Sequence, residues 1–310
     1  MRWRKTGTVG AGLMLAGVLA LSACGSSDDG ASKDATSSGG QSAPIGIVAS
    51  TNVWGDVAKQ VGGDAVEVTS IISDPDQDPH SYEADANTAL AISKASIVIE
   101  NGGGYDDFVD QLLDANSSDA TVLNAVDISG KTAPADGELN EHVWYDFPTV
   151  QKVADEIAAE LGKADPDDAA TFTSNASAFK DKVDGLISET DDLKSSHAGE
   201  GVGITEPVPL YLTEAAGLVN KTPEAFSEAI EEGEDVSAAT LKETLDLYTN
   251  HEVKVLVYNE QTSGPITEQI EKAAKKAGIP VVPVTETLPS GLDYVGWMQQ
   301  NIDALRSALG

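Results

Sequence analysis

The amino-acid sequence predicts an α/β protein of two lobes, each a parallel β-sheet flanked by helices, joined by a long rigid α-helix. Three observations carry this. From Ile45 onward short apolar runs alternate with stretches of helical periodicity, and strands alternating with helices imply parallel βαβ units with right-handed crossovers. A helical pattern of about thirty residues, from Pro166 to Ser195, then runs about 45 Å, the length of a domain. Beyond it the strand–helix alternation resumes to the C-terminus, with no repeat visible at the level of residues.

The chain opens with a segment to be excluded from the fold. Arg2, Arg4 and Lys5 precede an apolar run, Val9 to Leu21, too short to span a bilayer as a stable helix. Leu21-Ser22-Ala23 places small residues before Cys24, the only cysteine, a pattern that resembles the lipobox of bacterial lipoproteins. That resemblance implies a signal peptide over 1–23, a lipid on Cys24, and attachment to a membrane through that lipid. Residues 24–44 then read as a tether. Gly25 to Pro44 is half Gly and Ser and lacks apolar periodicity, and a flexible chain of that length reaches about 25 Å. With no second cysteine, no intrachain disulfide is available, and an exported protein must be held together by its core.

The first lobe is expected over 45–165. Ile45–Ala49 reads as a strand and Val53–Val61 as a helix stopped by Gly62-Gly63. Val66–Ile72 is a second strand, Ala86–Lys94 a helix, and Ser96–Ile99 a third strand ending in the turn Asn101-Gly102-Gly103-Gly104. A helix from Asp106 to Leu113 and a strand at Thr121–Leu123 follow, then a polar loop from Lys131 to Asn140. Val150, Val153, Ile157 and Leu161 recur at helical spacing. Asp165-Pro166-Asp167-Asp168 reads as the start of the connecting helix, 166–196: an Asp cap, proline in the first turn, and acids against the helix dipole. Gly185 is its one weak point. In the second lobe, 197–310, strands are expected at Gly201–Thr205, Val253–Tyr258 and Val281–Val284. Helices are expected at Ser237–Tyr248 and Ile266–Ala277, with a closing one carrying Tyr294, Trp297, Met298, Ile302 and Leu305.

Lys and Arg total 19 against 51 acids, a net charge of −32. Loss of Arg2, Arg4 and Lys5 with the signal peptide makes the balance still more negative. Nucleic acid is excluded as a partner, because a phosphate backbone needs a basic footprint. Cationic ligands and basic docking surfaces are favoured.

In open α/β sheets, ligands sit beyond the carboxyl ends of the strands. His80 follows the strand ending at Ile72, within Asp78-Pro79-His80-Ser81-Tyr82-Glu83, where Pro79 favours presentation of the imidazole from a stiff loop. Glu206 follows Thr205, Asn259 and Glu260 follow Tyr258, and Glu286 follows Thr285. His142 lies in Glu141-His142-Val143-Trp144-Tyr145-Asp146, ahead of the helix around Val150. The other two of the four histidines, His197 and His251, have Ser, Gly and charged neighbours and read as surface residues.

The two histidine motifs resemble the signatures of the metal-binding lipoproteins of bacterial zinc/manganese ABC importers, the cluster A-I family of solute-binding proteins. The similarity extends over nearly the whole chain after Cys24. It implies a binding protein, not an enzyme: a monomer at the cell surface, extracytoplasmic and lipid-anchored, that captures one divalent metal ion between its lobes. The ion is zinc or manganese ahead of iron, and it is delivered to an ABC permease driven by its ATPase. By matching position, the ligands implied are His80, His142, Glu206 and Glu286. The third position is often His in zinc members and Glu in manganese members, and here it is Glu206. The fourth is usually Asp, and here it is the longer Glu286. The His-rich loop of many zinc importers is replaced by the polar, acidic stretch Lys131 to Glu141.

The chemistry of the residues agrees. Two imidazoles and two carboxylates give a first shell of charge about −2, which neutralises a divalent cation, and the absence of thiolate argues against copper(I). A ligating imidazole needs an acceptor on its other nitrogen, for which Glu83, Glu141 and Asp146 are candidates. Trp144 is a candidate wall of the site. The alternatives are a metal-dependent hydrolase, or an adhesin or metal-chelate binder on the same fold. The sequence carries no HExxH helix, nucleophile elbow or Gly-rich phosphate loop, and four protein ligands would leave no open water position. A chelate pocket would not need two histidines and two acids converging.

Overall fold

The computed structural model describes residues 43–74, 79–135 and 137–310. The signal peptide, Cys24, most of the tether and Asp78 lie outside the described residues. The first lobe runs β1 (Ile45–Thr51), α1 (Asn52–Gly62), β2 (Val66–Ile72), α2 (Ala86–Lys94), β3 (Ile97–Glu100), α3 (Phe108–Asn116), β4 (Thr121–Asn124) and α4 (Ala125–Ser129). Two antiparallel helices follow, α5 (Phe147–Ala164) and α6 (Ala169–His197). The second lobe runs β5 (Gly201–Ile204), α7 (Leu210–Ala215), β6 (Val219–Asn220), α8 (Glu224–Glu231), α9 (Ala238–Thr249), β7 (Val255–Asn259), α10 (Pro265–Ala277), β8 (Val281–Val284) and α11 (Tyr294–Leu309).

Both sheets are wholly parallel and have the same strand order, β2-β1-β3-β4 and β6-β5-β7-β8. The inner strands are buried on both faces, as β3 and β7 show along their whole length, which is why they read as unbroken apolar runs and not as alternation. In each sheet the chain leaves the first strand to one side and later crosses to the other. That reversal opens a crevice at the carboxyl ends between β1 and β3, and between β5 and β7.

Local signals explain most element ends. Gly63 stops α1 at φ 57°, donating its N–H to the Lys59 carbonyl. Asp85, Asp146, Ser237 and Asp293 cap α2, α5, α9 and α11 with side-chain oxygens. The connecting helix starts three residues later than its sequence suggests. Asp165 accepts from the Asp167 N–H, but the turn at 166–168 is not continued, and α6 begins at Ala169 after Asp168. From there α6 is unbroken: Phe172, Ala176, Phe179, Val183, Leu186, Thr190 and Leu193 form one buried stripe, and Gly185 falls on the opposite, exposed face. The elements α7, β6 and α8 are not foreseen from the sequence, being short, and β6 has only two residues.

One hydrophobic core runs through both lobes. It joins Trp54 and Val57 of α1 to the α5 and α6 stripes and continues into Ile204, Val257 and Val284 of the second sheet and Tyr294, Trp297 and Met298 of α11. Polar ties reinforce it. Asn52 donates from Nδ2 to the Leu288 carbonyl at 2.9 Å and accepts the Leu288 N–H at 2.8 Å. The Tyr294 hydroxyl donates to the Trp144 carbonyl at 2.6 Å and the Tyr145 hydroxyl to the Thr285 carbonyl at 2.7 Å. Wide hinge opening would break all of these at once.

Asn52→Ala, which deletes two inter-lobe hydrogen bonds, is expected to cost about 2 kcal/mol of unfolding free energy, read from the urea midpoint. X-ray scattering is expected to show no resolvable change in radius of gyration on ligand addition, and a large contraction would contradict the shared core.

Candidate metal site

The site lies where the carboxyl ends of both sheets face each other, and each contributing side chain has its own anchor. His80 sits in a single 3-10 turn, Pro79–Ser81, after β2. Tyr82 holds this turn in place, its hydroxyl 2.6 Å from Thr88 Oγ1 and its ring 4.7 Å from that of Phe108. His142 precedes a second 3-10 turn, Val143–Tyr145, whose three residues are all buried. Glu206 follows β5, Asn259 ends β7, and Glu286 follows β8. All three are about 1 % exposed, and His142 is fully buried.

Of the four ligands expected from sequence, the structure brings three together: His80, His142 and Glu286 have donor atoms within 4.8 Å of one another. Glu286 Oε2 is 3.4 Å from His80 Nε2 and 3.8 Å from His142 Nε2. The same oxygen accepts the Tyr105 hydroxyl at 3.1 Å, and Tyr105 stands edge-on to His80 at 4.9 Å between ring centroids. Glu206 is not in that group. It lies beside Glu286, and Asn259 Nδ2 joins the two carboxylates, at 2.6 Å to Glu206 Oε2 and 2.8 Å to Glu286 Oε1. Thr262 also donates to Glu206 Oε2, while Glu206 Oε1 is buried with no hydrogen-bond partner. Asn259, whose role the sequence leaves open, is therefore the tether between two acids. Gln261 steadies the same loop, its Oε1 accepting the N–H groups of Glu286 and Thr287.

The acceptor behind His142 is Asn140, not the acids foreseen from sequence. Asn140 Nδ2 donates to the Pro207 carbonyl at 3.1 Å, which orients the amide and turns Oδ1 toward His142. Oδ1 lies 2.8 Å from His142 Nδ1, so Nδ1 carries the proton and Nε2 offers its lone pair to the site. Asp146 is occupied in capping α5 and pairs with Lys131 at 3.3 Å. Trp144 does wall the site, edge-on to His142 at 5.0 Å and to Tyr105 at 4.9 Å. His197 is half-buried beside Glu200, and His251 is exposed at φ 55°; neither approaches the site residues named here.

Sequence reasoning missed Glu231 entirely. From the last turn of α8 its Oε1 reaches 3.3 Å from His142 Nε2 and 3.9 Å from His80 Nε2. The only signal was Phe226 and Ile230 at i,i+4 after Pro223, enough for a short amphipathic helix but not for the direction of one acid among several.

Burial and charge set the protonation of these groups. Burial alone would lower the His80 pKa, but the hydrogen bond and charge of Glu286 hold it up at about 9. His142 is likewise raised, the acids Glu231 and Glu286 overcoming burial. Burial works to raise the pKa of Glu286, yet His142 and His80 hold its carboxyl well below the usual range. Burial and then the neighbouring Glu286 charge push Glu206 up to about 8, and burial pushes Glu231 up to about 7. In chemical terms, two nitrogen donors and a carboxylate converge, a second carboxyl stands ready, and buried lone pairs on His142 Nε2, Glu206 Oε1 and Glu231 Oε1 have no hydrogen-bond partner. A divalent cation satisfies such a set.

Comparison with known proteins points the same way. The family described as zinc-uptake complex component A, periplasmic (ZnuA), matches residues 47–308. The manganese-binding lipoprotein MntA of Bacillus subtilis (strain 168) is 24% identical over 317 residues, covering 96% of this chain and 99% of its own. The manganese ABC transporter substrate-binding lipoprotein scaA of Streptococcus gordonii is 25% identical over 317 residues, covering 96% and 97%. Among solved structures, the periplasmic zinc-binding protein TroA from Treponema pallidum superposes with a TM-score of 0.74 at 18% identity, covering 86% of this chain and 99% of that one. It shares the two-lobed fold.

The site makes the stability of the metal-free protein depend on pH. A folded His80 pKa of about 9 against 6.5 contributes stability that is complete below pH 6.5 and disappears as pH rises through 9. Glu206, raised from 4.5 to about 8, acts in the same direction. The depressed Glu286 contributes above pH 4.5 and loses that contribution as pH falls. Chelator-treated protein is therefore expected to melt highest near pH 4.5, to fall from there as Glu206 loses its proton, and to fall more steeply from pH 6.5 to 9, whereas His80→Ala removes the steeper part of the alkaline limb. A melting temperature constant from pH 6.5 to 9 in the parent would contradict the His80–Glu286 pairing.

Proposed function

Because the chain belongs to the ZnuA family of zinc-uptake components, we propose that it captures one zinc or manganese ion outside the cytoplasm and delivers it to the permease of an ABC importer. It is a binding protein and not an enzyme. One observation carries the reading: two imidazole Nε2 atoms and the Glu286 carboxylate converge at the junction of the lobes, and Asn140 fixes the tautomer that leaves the His142 lone pair free. His80, His142 and Glu286 hold the ion. Glu206 completes the set, supported by its unpartnered buried oxygen and by its Asn259 tether to Glu286. Nitrogen with carboxylate suits both zinc and manganese, and bidentate carboxylates would suit manganese at higher coordination number. The names of the two curated relatives, manganese-binding and manganese ABC transporter substrate-binding, agree with this cargo. A lipid on Cys24 would hold a monomer at the membrane, its tether leaving the lobes free to reorient toward the permease.

Two measurements test the reading. After chelation, metal titration is expected to show one ion per chain. His80→Ala and His142→Ala should weaken binding by more than roughly 100-fold, and Asn140→Ala, which removes only the imidazole's acceptor, by about 10- to 100-fold. Parent-like affinity in both histidine variants would sink the assignment, and competition among zinc, manganese and iron identifies the cargo. Calorimetry near pH 7.5 in buffers of different ionisation enthalpy should detect net release of protons on metal binding, from His80 and Glu206 with a further share from His142, so that affinity rises with pH.

A further inference from the structure

Outside the buried site lies a cleft of about 730 Å³. Glu138 and Glu141 line it from the first lobe, and Glu224, Glu228, Glu231 and Glu232 line it from α8 and the residue after it. His80 belongs to its lining as well as to the inner group, of which it is the exposed member. Among the described residues there is a second set of donors able to hold a cation: His80, Glu141 and Glu231, with donor atoms all within 4.8 Å of one another. The two sets share His80. Glu231 faces both imidazoles, and its Oε1 lies 3.3 Å from His142 Nε2, close enough for an ion pair, while neither buried atom has a hydrogen-bond partner. His142 itself is fully buried. The fully buried His142 imidazole and the Glu231 carboxylate that lines the cleft are therefore in direct contact.

We propose that His80, Glu141 and Glu231 form an outer cation subsite, where an entering divalent metal ion is first held before passing inward to His142 and Glu286. This rests on the reading of the inner group as the metal site. An entering hydrated ion must exchange its waters for protein donors, and a donor set that replaces some of the shell before the rest divides one large dehydration step into smaller ones. Glu141 is placed for this because its carbonyl is fixed by Asn101 Nδ2 at 2.9 Å while its side chain lines the cleft. Glu231 belongs to a helix of only eight residues, held to the second lobe by the buried Phe226. His80, common to both sets, keeps one bond to the ion during transfer.

Stopped-flow mixing of chelator-stripped full-length protein with manganese or zinc chloride tests this. Glu231→Gln and Glu141→Gln, both near-isosteric, should each slow association by roughly tenfold. Dissociation should slow in parallel, so that the equilibrium constant changes far less and one ion still binds per chain. The slowing should persist in high salt. That separates it from general attraction by the acidic cleft, for which Glu228→Gln is the control, its effect being screened away. Association within about twofold of the parent in high salt overturns the proposal. So does a loss of equilibrium binding as large as that of His142→Ala, which would make Glu231 an inner ligand. A parent protein that binds no metal at all would instead sink the function proposed for the inner site.

Discussion

A single buried carboxylate, Glu286, sets the character of this protein. Its two oxygens answer to His80, His142, Tyr105 and Asn259, residues drawn from both lobes, so the carboxylate is at once the centre of the site and a bolt between the lobes. An ionised acid excluded from water is tolerable only with such company. Its presence explains why His80 holds a proton so tightly, and it adds to the burial that raises the pKa of Glu206, two residues beyond β5. A divalent cation bound by this group, as proposed, would displace protons held there, so that metal and proton would compete for the same lone pairs.

The frame around that group follows from simpler rules. Two sheets of identical strand order open their crevices at the carboxyl ends of the strands, and the loops leaving β2, β5, β7 and β8 deliver His80, Glu206, Asn259 and Glu286 to that junction. The long helix α6 and its neighbours α1, α5 and α11 then fill the space behind the junction with one uninterrupted core. Polar ties such as the reciprocal Asn52–Leu288 bonds add direction to packing that would otherwise only be cohesive.

Much of this is legible in the sequence because the informative features are local. Val66–Ile72 and Ala86–Lys94 have the boundaries their residue patterns suggest, since burial on one face or two leaves a period that can be counted. The rule that ligands lie beyond strand ends singled out His80, Glu206 and Glu286, and the structure brings His80 and Glu286 together with Glu206 alongside. What escaped depends on direction. Asn140 becomes the partner of His142 only because the Pro207 carbonyl turns its amide, and nothing within the Lys131–Asn140 loop reveals that. Glu231 is one acid among Glu228, Glu231, Glu232 and Glu234, and only the position of α8 against the cleft singles it out. The start of α6 departs from the sequence pattern for a similar reason: Asp165-Pro166 has the composition of a cap, but it opens a turn at 166–168, and the helix begins only at Ala169.

The continuous core has a mechanical consequence. A body in which both lobes share their interior is stiff, and stiffness confines compliance to whatever is weakly attached. The short helix α8, two turns long, packs with α9 and α10 in the smaller apolar cluster of the second lobe and not in the common core. The lobes themselves, sharing one interior, would resist being parted by a load on this surface.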